Sequence, residues 1–313
     1  MKNSRIVIGT RGSELARAQA RAVEAALREK CPDLTIETKI IRTSGDESRS
    51  QVRNLRHGRK GLFTAEIEKA LLALDVDLAV HSAKDLPSEL TADTEIAAVL
   101  RRAALDDVLV SKQPGGLVAL QEGATIASGS VRRKHQLSWK RPDVKIVDLR
   151  GNVPTRLRKL AENHWDALVL ARAGLERLGL SPAQNEINFE GRQFFTEVLA
   201  RESFLPAGGQ GVIALQIRAG DEDMRAIVDS VNDRETLLCL RAEREFLRLL
   251  QGDCNSPVGV LATIENGMMK MRAQVFESGL TAPREGKVEG RRDNGEHLAA
   301  QLLRQINGEQ EQG

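Results

Sequence analysis

Short apolar runs that end in polar turns recur along this chain, and most of the turns open a helical pattern. Such a rhythm leaves few options: it predicts parallel strands joined by helices, an α/β architecture. The first unit opens with a strand from Arg5 to Gly9 and a turn, Thr10-Arg11-Gly12-Ser13. A helix from Glu14 to about Lys30 follows, with Ser13 as N-cap and Leu15, Ala18, Ala22, Ala26 and Leu27 as its apolar face. A second strand, Leu34 to Ile41, leads into the polar tract Thr43 to Lys60, read as a lid or binding loop. After Gly61-Leu62-Phe63 comes an amphipathic helix from about Thr64 to Leu74, then the buried run Leu78-Ala79-Val80 and another strand around Ile96 to Leu100.

The run at Leu78 ends in His81-Ser82-Ala83-Lys84-Asp85-Leu86-Pro87. In open α/β sheets ligands sit beyond the carboxyl ends of the strands, so a hydroxyl, an ammonium and a carboxylate in four residues mark a candidate site. A carboxylate there can stabilise positive charge formed in a reaction or move a proton, while Lys84 grips an anion. The competing reading is a plain turn, since turns are rich in Asp and Ser. At the first turn, Arg11 and Ser13 stand where backbone N–H groups and a helix dipole converge, the geometry of an anion site.

From about Asp106 the rhythm restarts, predicting a second domain. Thr125–Ala127 is a strand followed by Ser128-Gly129-Ser130-Val131-Arg132-Arg133 and a helix start. Lys145 to Leu149 is a strand ending in Arg150-Gly151-Asn152-Val153, with Arg156 on the next helix, and Ala167 to Leu170 is another. Arginines at the same end of successive parallel strands suit a polycarboxylate or phosphate, because a guanidinium pairs bidentately with either. Charge points the same way. The chain carries +2 overall, but between Arg101 and Leu160 thirteen Lys/Arg stand against five Asp/Glu, a local +8.

Ser181 to Ser203 breaks the pattern; with Phe204 it holds four of only seven Phe, so it is expected to pack on a surface. It runs into Leu205-Pro206-Ala207-Gly208-Gly209-Gln210-Gly211 and a strand, Val212 to Ile217, expected to return to the first sheet. A third unit follows: a charged helix from Asp233 to Leu250, strands near Val260 and from Met268 to Phe276, and a last helix from about Gly295 to Ile306. Nucleic-acid binding is disfavoured, since aromatics are scarce, Tyr is absent and the arginines lie at strand ends. No stretch suits a membrane span, and three scattered cysteines fit a reduced, cytoplasmic setting. Of these, Cys254 is placed on a loop between Gly252-Asp253 and Asn255-Ser256-Pro257, where a thiol can be a nucleophile or a covalent anchor.

Seven segments taken together resemble one family. Gly9-Thr10-Arg11-Gly12-Ser13, Lys60-Gly61-Leu62-Phe63, the stretch from His81 to Pro87, Ser130-Val131-Arg132-Arg133, Leu149-Arg150-Gly151-Asn152-Val153, the stretch from Leu205 to Gly211 and Gly252-Asp253-Cys254 are similar in order and spacing to the porphobilinogen deaminases. The resemblance implies a dipyrromethane cofactor bound by a thioether to Cys254, and stepwise head-to-tail condensation of four porphobilinogen molecules on that primer. Ammonia leaves each one, and hydroxymethylbilane is finally released. It implies Asp85 as the catalytic carboxylate. Lys84, Ser82, Ser130, Arg132 and Arg133 would hold the cofactor. Arg11, Ser13, Gln19, Arg150, Arg156, Lys60 and Phe63 would bind substrate, Lys60 belonging to the lid. No metal is implied, and the family acts as a monomer.

The implied fold is α/β: two similar bilobal α/β domains of the type II periplasmic-binding-protein kind, plus a small α+β C-terminal domain. The expected bounds are 1-104 with 212-229, 105-205 and 230-313. The chain departs from the family's usual pattern at Glu14 (proline), Arg59 (glycine) and Asp253 (glycine beside the cysteine). The alternative is a non-catalytic bilobal protein that binds polycarboxylates, which would need neither Asp85 nor Cys254.

Overall fold

The computed structural model describes residues 5–42, 64–182, 185–252, 256–277 and 282–309. The chain divides into two compact units, Met1–Arg102 with Val212–Leu240, and Ala103–Gly211 with Arg241–Gly313.

The first unit is built from β1 (Arg5–Arg11), α1 (Glu14–Lys30), β2 (Thr35–Ile41), α2 (Ala65–Leu72), β3 (Leu78–Ser82) and β4 (Thr94–Val99). The second continues with β5 (Asp107–Ser111), α3 (Gly116–Ala119), β6 (Thr125–Ala127), α4 (Val131–Lys140), β7 (Lys145–Val147), α5 (Val153–Glu162), β8 (Ala167–Ala171), α6 (Arg172–Arg177), β9 (Glu186–Phe189) and β10 (Arg192–Val198). The chain then returns to the first unit with β11 (Ile213–Arg218) and α7 (Glu222–Asp229), as the apolar run at Val212 leads one to expect. Helix α8 (Arg234–Leu249) leads to β12 (Val258–Glu265), β13 (Met268–Val275), β14 (Arg284–Arg291) and α9 (Gly295–Asn307).

Both large sheets have one plan. The first runs β2-β1-β3-β11-β4, with β1 parallel to its neighbours and β11 antiparallel to β3 and β4. The second runs β7-β6-β8-β5-β10-β9, with β6 parallel to its neighbours and β5 antiparallel to β8 and β10. Numbered within its own unit, the first sheet reads 2-1-3-n-4 and the second 2-1-3-n-5-4, where n is the first strand after the chain enters from the other unit. This is the type II periplasmic-binding-protein arrangement. It explains why the strands read as short continuous apolar runs: they are covered on both faces. In the first unit Ile6, Ile8 and Val80 pack with Val23 and Leu27 of α1 and Ile227 of α7. On the opposite face Val7 and Ala79 meet Ile67 and Leu71 of α2.

Two readings of the sequence need correction. Helix α1 buries Ala16, Gln19, Ala20, Val23 and Leu27, where the sequence pattern put Leu15, Ala18, Ala22 and Ala26 with Leu27. Alanines on several sides leave the face of such a helix undecided, and Gln19 is drawn in by a polar partner instead. The second concerns Ser181 to Ser203. Within it β9 and β10 form an antiparallel hairpin, closed by Glu190 (φ 50°) and Gly191 (φ 76°), that extends the second sheet. Its Phe194 is buried, and Phe189 is partly buried against the same core, so the expectation that these rings pack on a surface holds.

The third sheet is the meander β12-β13-β14, with α9 packed on it through Leu298 and Leu302. Strand β14 was not anticipated, because Arg284–Arg291 is rich in charge and glycine. Its glycines have a steric reason. A Cβ on Gly286 would lie 2.9 Å from Leu302 Cδ1, and one on Gly290 would lie 2.9 Å from Leu298 Cδ2.

Candidate active site

In the first unit the ends of β1 and β3 open into a single recess. It is lined by Arg11, Ser13, Leu15, Ala16, Gln19, Thr64, Val80, His81, Ser82 and Asp85, around about 410 Å³ of open space. Strand β1 ends at Arg11, and Ser13, in extended conformation, caps α1 by accepting the Ala16 N–H at 3.3 Å. The buried Thr10 hydroxyl donates to the Ala16 carbonyl, tying the strand end to the first helical turn. Strand β3 ends at Ser82, and a 3-10 turn, Ala83–Asp85, leaves Asp85 exposed and Lys84 half-buried. Gln19, buried on α1, holds Ser82: the amide nitrogen lies 2.8 Å from the hydroxyl oxygen. Five predicted site residues, Arg11, Ser13, Gln19, Ser82 and Asp85, therefore share one recess.

Below it lies a buried polar group of residues. Glu68 of α2 accepts hydrogen bonds from Gln216 (2.8 Å) and Thr91 (2.6 Å), and Gln216 also donates to Thr94. His81 is 4% exposed, and burial pushes its pKa down to about 4, so its ring is neutral near pH 7. Two buried polar atoms of the recess wall, His81 Nε2 and Thr64 Oγ1, have no hydrogen-bond partner among the described residues.

The second unit presents a matching set of strand ends. The turn after β6 holds Ser128, whose hydroxyl accepts the Ser130 N–H, and Ser130, which caps α4 by accepting the Arg133 N–H. Gly129 is forced by contact: a Cβ there would lie 2.1 Å from the Leu149 carbonyl oxygen. Arg150 is exposed after β7, and Asn152 caps α5. Arg156, half-buried on α5, donates from Nε to the Gly151 carbonyl at 2.7 Å.

Arg132 and Arg133 do not stand in solvent; each is 4% exposed. Arg132 reaches Asp107 at 2.8 Å, Gln136 at 2.9 Å and the Leu205 carbonyl at 2.9 Å, while Arg133 reaches Asp107 at 2.7 Å and the Val169 carbonyl at 2.9 Å. Gln210, from the glycine-rich turn, donates to the same carboxylate at 2.9 Å. Burial by itself would raise the Asp107 pKa, but the two guanidinium groups outweigh it and hold the carboxyl well below the usual range. Two buried cations thus share one anion, and the Nε atoms of both arginines have no partner among the described residues. Spare positive charge and two unused N–H donors at the start of a helix fit a carboxylate-bearing cofactor.

Lys60, Phe63 and Cys254 lie outside the described residues, as do Arg59 and Asp253. Sequence reasoning gave no site role to Asp107, Thr64 or Glu243. An acidic residue opening a buried strand was the available signal for Asp107. Glu243, fully buried on α8, accepts the Gly209 N–H at 2.7 Å and the Ala262 N–H at 2.8 Å, which fixes the glycine-rich turn against β12. Among the described residues no cluster of His, Cys, Asp or Glu could hold a metal, and no helix is long and apolar enough to cross a membrane.

The strand order defines a type II binding-protein scaffold, with serine and arginine side chains gathered at its strand ends. Known proteins sharpen that class. Residues 6–226 match the family profile described as "Porphobilinogen deaminase, dipyromethane cofactor binding domain", and residues 237–306 match "Porphobilinogen deaminase, C-terminal domain". The porphobilinogen deaminase of Syntrophomonas wolfei is 43% identical over 92% of this chain and 87% of its own length. That of Roseiflexus sp. strain RS-1 is 44% identical over 86% and 85%, and that of Syntrophobacter fumaroxidans 40% over 95% and 94%. The chain belongs to the porphobilinogen deaminase family.

Proposed function

We propose that this chain deaminates four porphobilinogen molecules and joins them head to tail on a dipyrromethane primer held by a thioether to Cys254, releasing hydroxymethylbilane. The observation that carries the reading is the recess that gathers Arg11, Ser13, Gln19, Ser82 and Asp85 in a chain of this family. Non-catalytic binding is not favoured, since the relatives are deaminases along nearly the whole chain.

The primer, when bound, would supply the free pyrrole α-carbon for the first coupling, and the terminal pyrrole of the growing chain would supply it thereafter. Every other contribution comes from the protein's own groups. Ammonia loss leaves positive charge on the substrate pyrrole, and the exposed Asp85 carboxylate stabilises it. Arg11 and Ser13, at the positive end of α1, hold substrate carboxylates. Gln19 fixes the Ser82 hydroxyl, so the strand end keeps its shape as charge moves. Lys84, Ser82, Ser130, Arg132 and Arg133 are read as the residues that hold the cofactor. Arg150 and Arg156 take the carboxylates of later substrate units. Lys60 and Phe63 are read as lid residues. We read the work as divided over three domains, 1-104 with 212-229, 105-205 and 230-313, in a cytoplasmic monomer that engages neither nucleic acid nor membrane.

The test is intact mass of freshly purified protein with an aldehyde colour reaction for pyrroles. The reading expects a mass excess matching a dipyrromethane, absent from Cys254→Ser. A bare-chain mass without colour after incubation with porphobilinogen rejects it.

A further inference from the structure

The recess wall holds two polar atoms that folding leaves unused. Thr64 is the N-cap residue of α2, the position where a threonine hydroxyl normally accepts a backbone N–H, yet it makes no such bond. Its Oγ1 is buried, on a residue 2% exposed that lines the recess. His81 Nε2 is likewise buried, on a residue of β3 4% exposed that lines the recess. An unmet hydrogen bond at a buried group is destabilising, so two of them on residues lining one recess call for a ligand. The local field says which sign of ligand. Burial opposes charge on the His81 ring most strongly, but among its neighbours Glu68, the Gln216 side chain and Asp85 all favour positive charge, and each exceeds the opposing effect of Arg11.

We propose that Thr64 Oγ1 and His81 Nε2 form a cation subsite that accepts the N–H groups of the substrate's aminomethyl substituent, an ammonium at neutral pH. The proposal rests on the deaminase reading above and assigns the amine end of the substrate, where that reading assigned only the carboxylates and the ring. In the step itself the C–N bond breaks and its electron pair leaves with nitrogen as neutral ammonia. The positive charge stays on the pyrrole, facing Asp85. No external acid is required. A neutral His81 suits this, because an imidazolium would repel the bound cation and offer no lone pair. The same wall then releases ammonia, and added ammonium competes for it.

The experiment uses the full-length holoprotein labelled with ¹⁵N-histidine, titrated with ammonium chloride and, at matched ionic strength, with potassium chloride. One imidazole, assigned by its loss in His81→Gln, is expected to carry an unprotonated Nε2 whose resonance moves with ammonium only. In assays ammonium is expected to inhibit competitively against porphobilinogen, and Thr64→Val, which keeps the shape, to weaken that inhibition at least about tenfold. An Nε2–H tautomer, equal responses to both salts, or unchanged ammonium inhibition in Thr64→Val overturns the subsite. Normal turnover with any of these results leaves the deaminase reading standing. An ammonium-specific shift in protein that never turns over porphobilinogen supports the cation site and rejects the reaction.

Discussion

Asp107 shows how far one residue can change the meaning of its neighbours. The sequence presents Arg132-Arg133 as a pair of cations at a strand end, and the structure turns both inward onto one carboxylate, 25 and 26 positions earlier. Removing that carboxylate strands two buried guanidinium groups. Asp107→Asn is expected to destabilise the chain by about 3–5 kcal/mol, measured by denaturant unfolding. His81 gives a second residue-scale prediction. Its folded pKa of about 4 lies below the unfolded value of 6.5, so the unfolded chain binds the extra proton first as pH falls. Stability from this group is complete above pH 6.5 and declines by about 3 kcal/mol by pH 4. The loss should appear in wild type and be missing from His81→Gln in urea titrations at several pH values. Asp85→Asn is expected to stop turnover while intact mass still shows the cofactor. What was legible here was local: Ser13, Ser130 and Arg11 are placed by the turns they sit in. Partners such as Asp107 and Glu68 were hidden because no short-range pattern pairs them with the arginines or with Gln216.

Elements were legible where their ends carry chemistry and opaque where sterics alone decide. Helix α1 was visible from its Ser13 cap, and the starts of α4 and α5 from the polar turns Ser128–Arg133 and Arg150–Val153. The β9–β10 hairpin was not, because its turn is Glu190-Gly191 instead of Asn-Gly, and glutamate is a poor residue for positive φ. Glu190→Asn is expected to stabilise the protein by about 0.5–1 kcal/mol in thermal or urea unfolding, although it gives up the exposed pair with Arg158. Gly129→Ala should act in the opposite direction. Its Cβ meets main chain at Leu149, which cannot yield as a side chain does, so a loss of about 1–3 kcal/mol is expected, together with weaker cofactor retention by mass. Several of the thirteen cations between Arg101 and Leu160 are similarly spoken for by structure: Lys134 pairs with Asp148, Arg141 with Asp143 and Arg158 with Glu190. A charge count shows where cations are dense and says nothing of which remain for a ligand.

At the scale of the whole molecule, the sequence yields the α/β class and the returning strand through its rhythm, and the family through its motifs. Strand order is a different matter, since hydrophobic runs do not say which neighbours they choose. The order found has a consequence for integrity: β4 has β11 as its sole partner, and β11 also covers the edge of β3. A chain ending at residue 211 should therefore lose the first unit's protection in limited proteolysis while β5 to β10, contiguous in sequence, keep theirs.

That placement of β11 also sets a timetable for the ribosome. The N-terminal sheet is encoded first but closes only after Ile213–Arg218 has emerged, beyond the whole 103–211 span. At about 5–20 residues per second, that wait is on the order of 5–20 s. The lobe encoded second can mature first, and the open edge of β3 is the stretch of the nascent chain most in need of a chaperone.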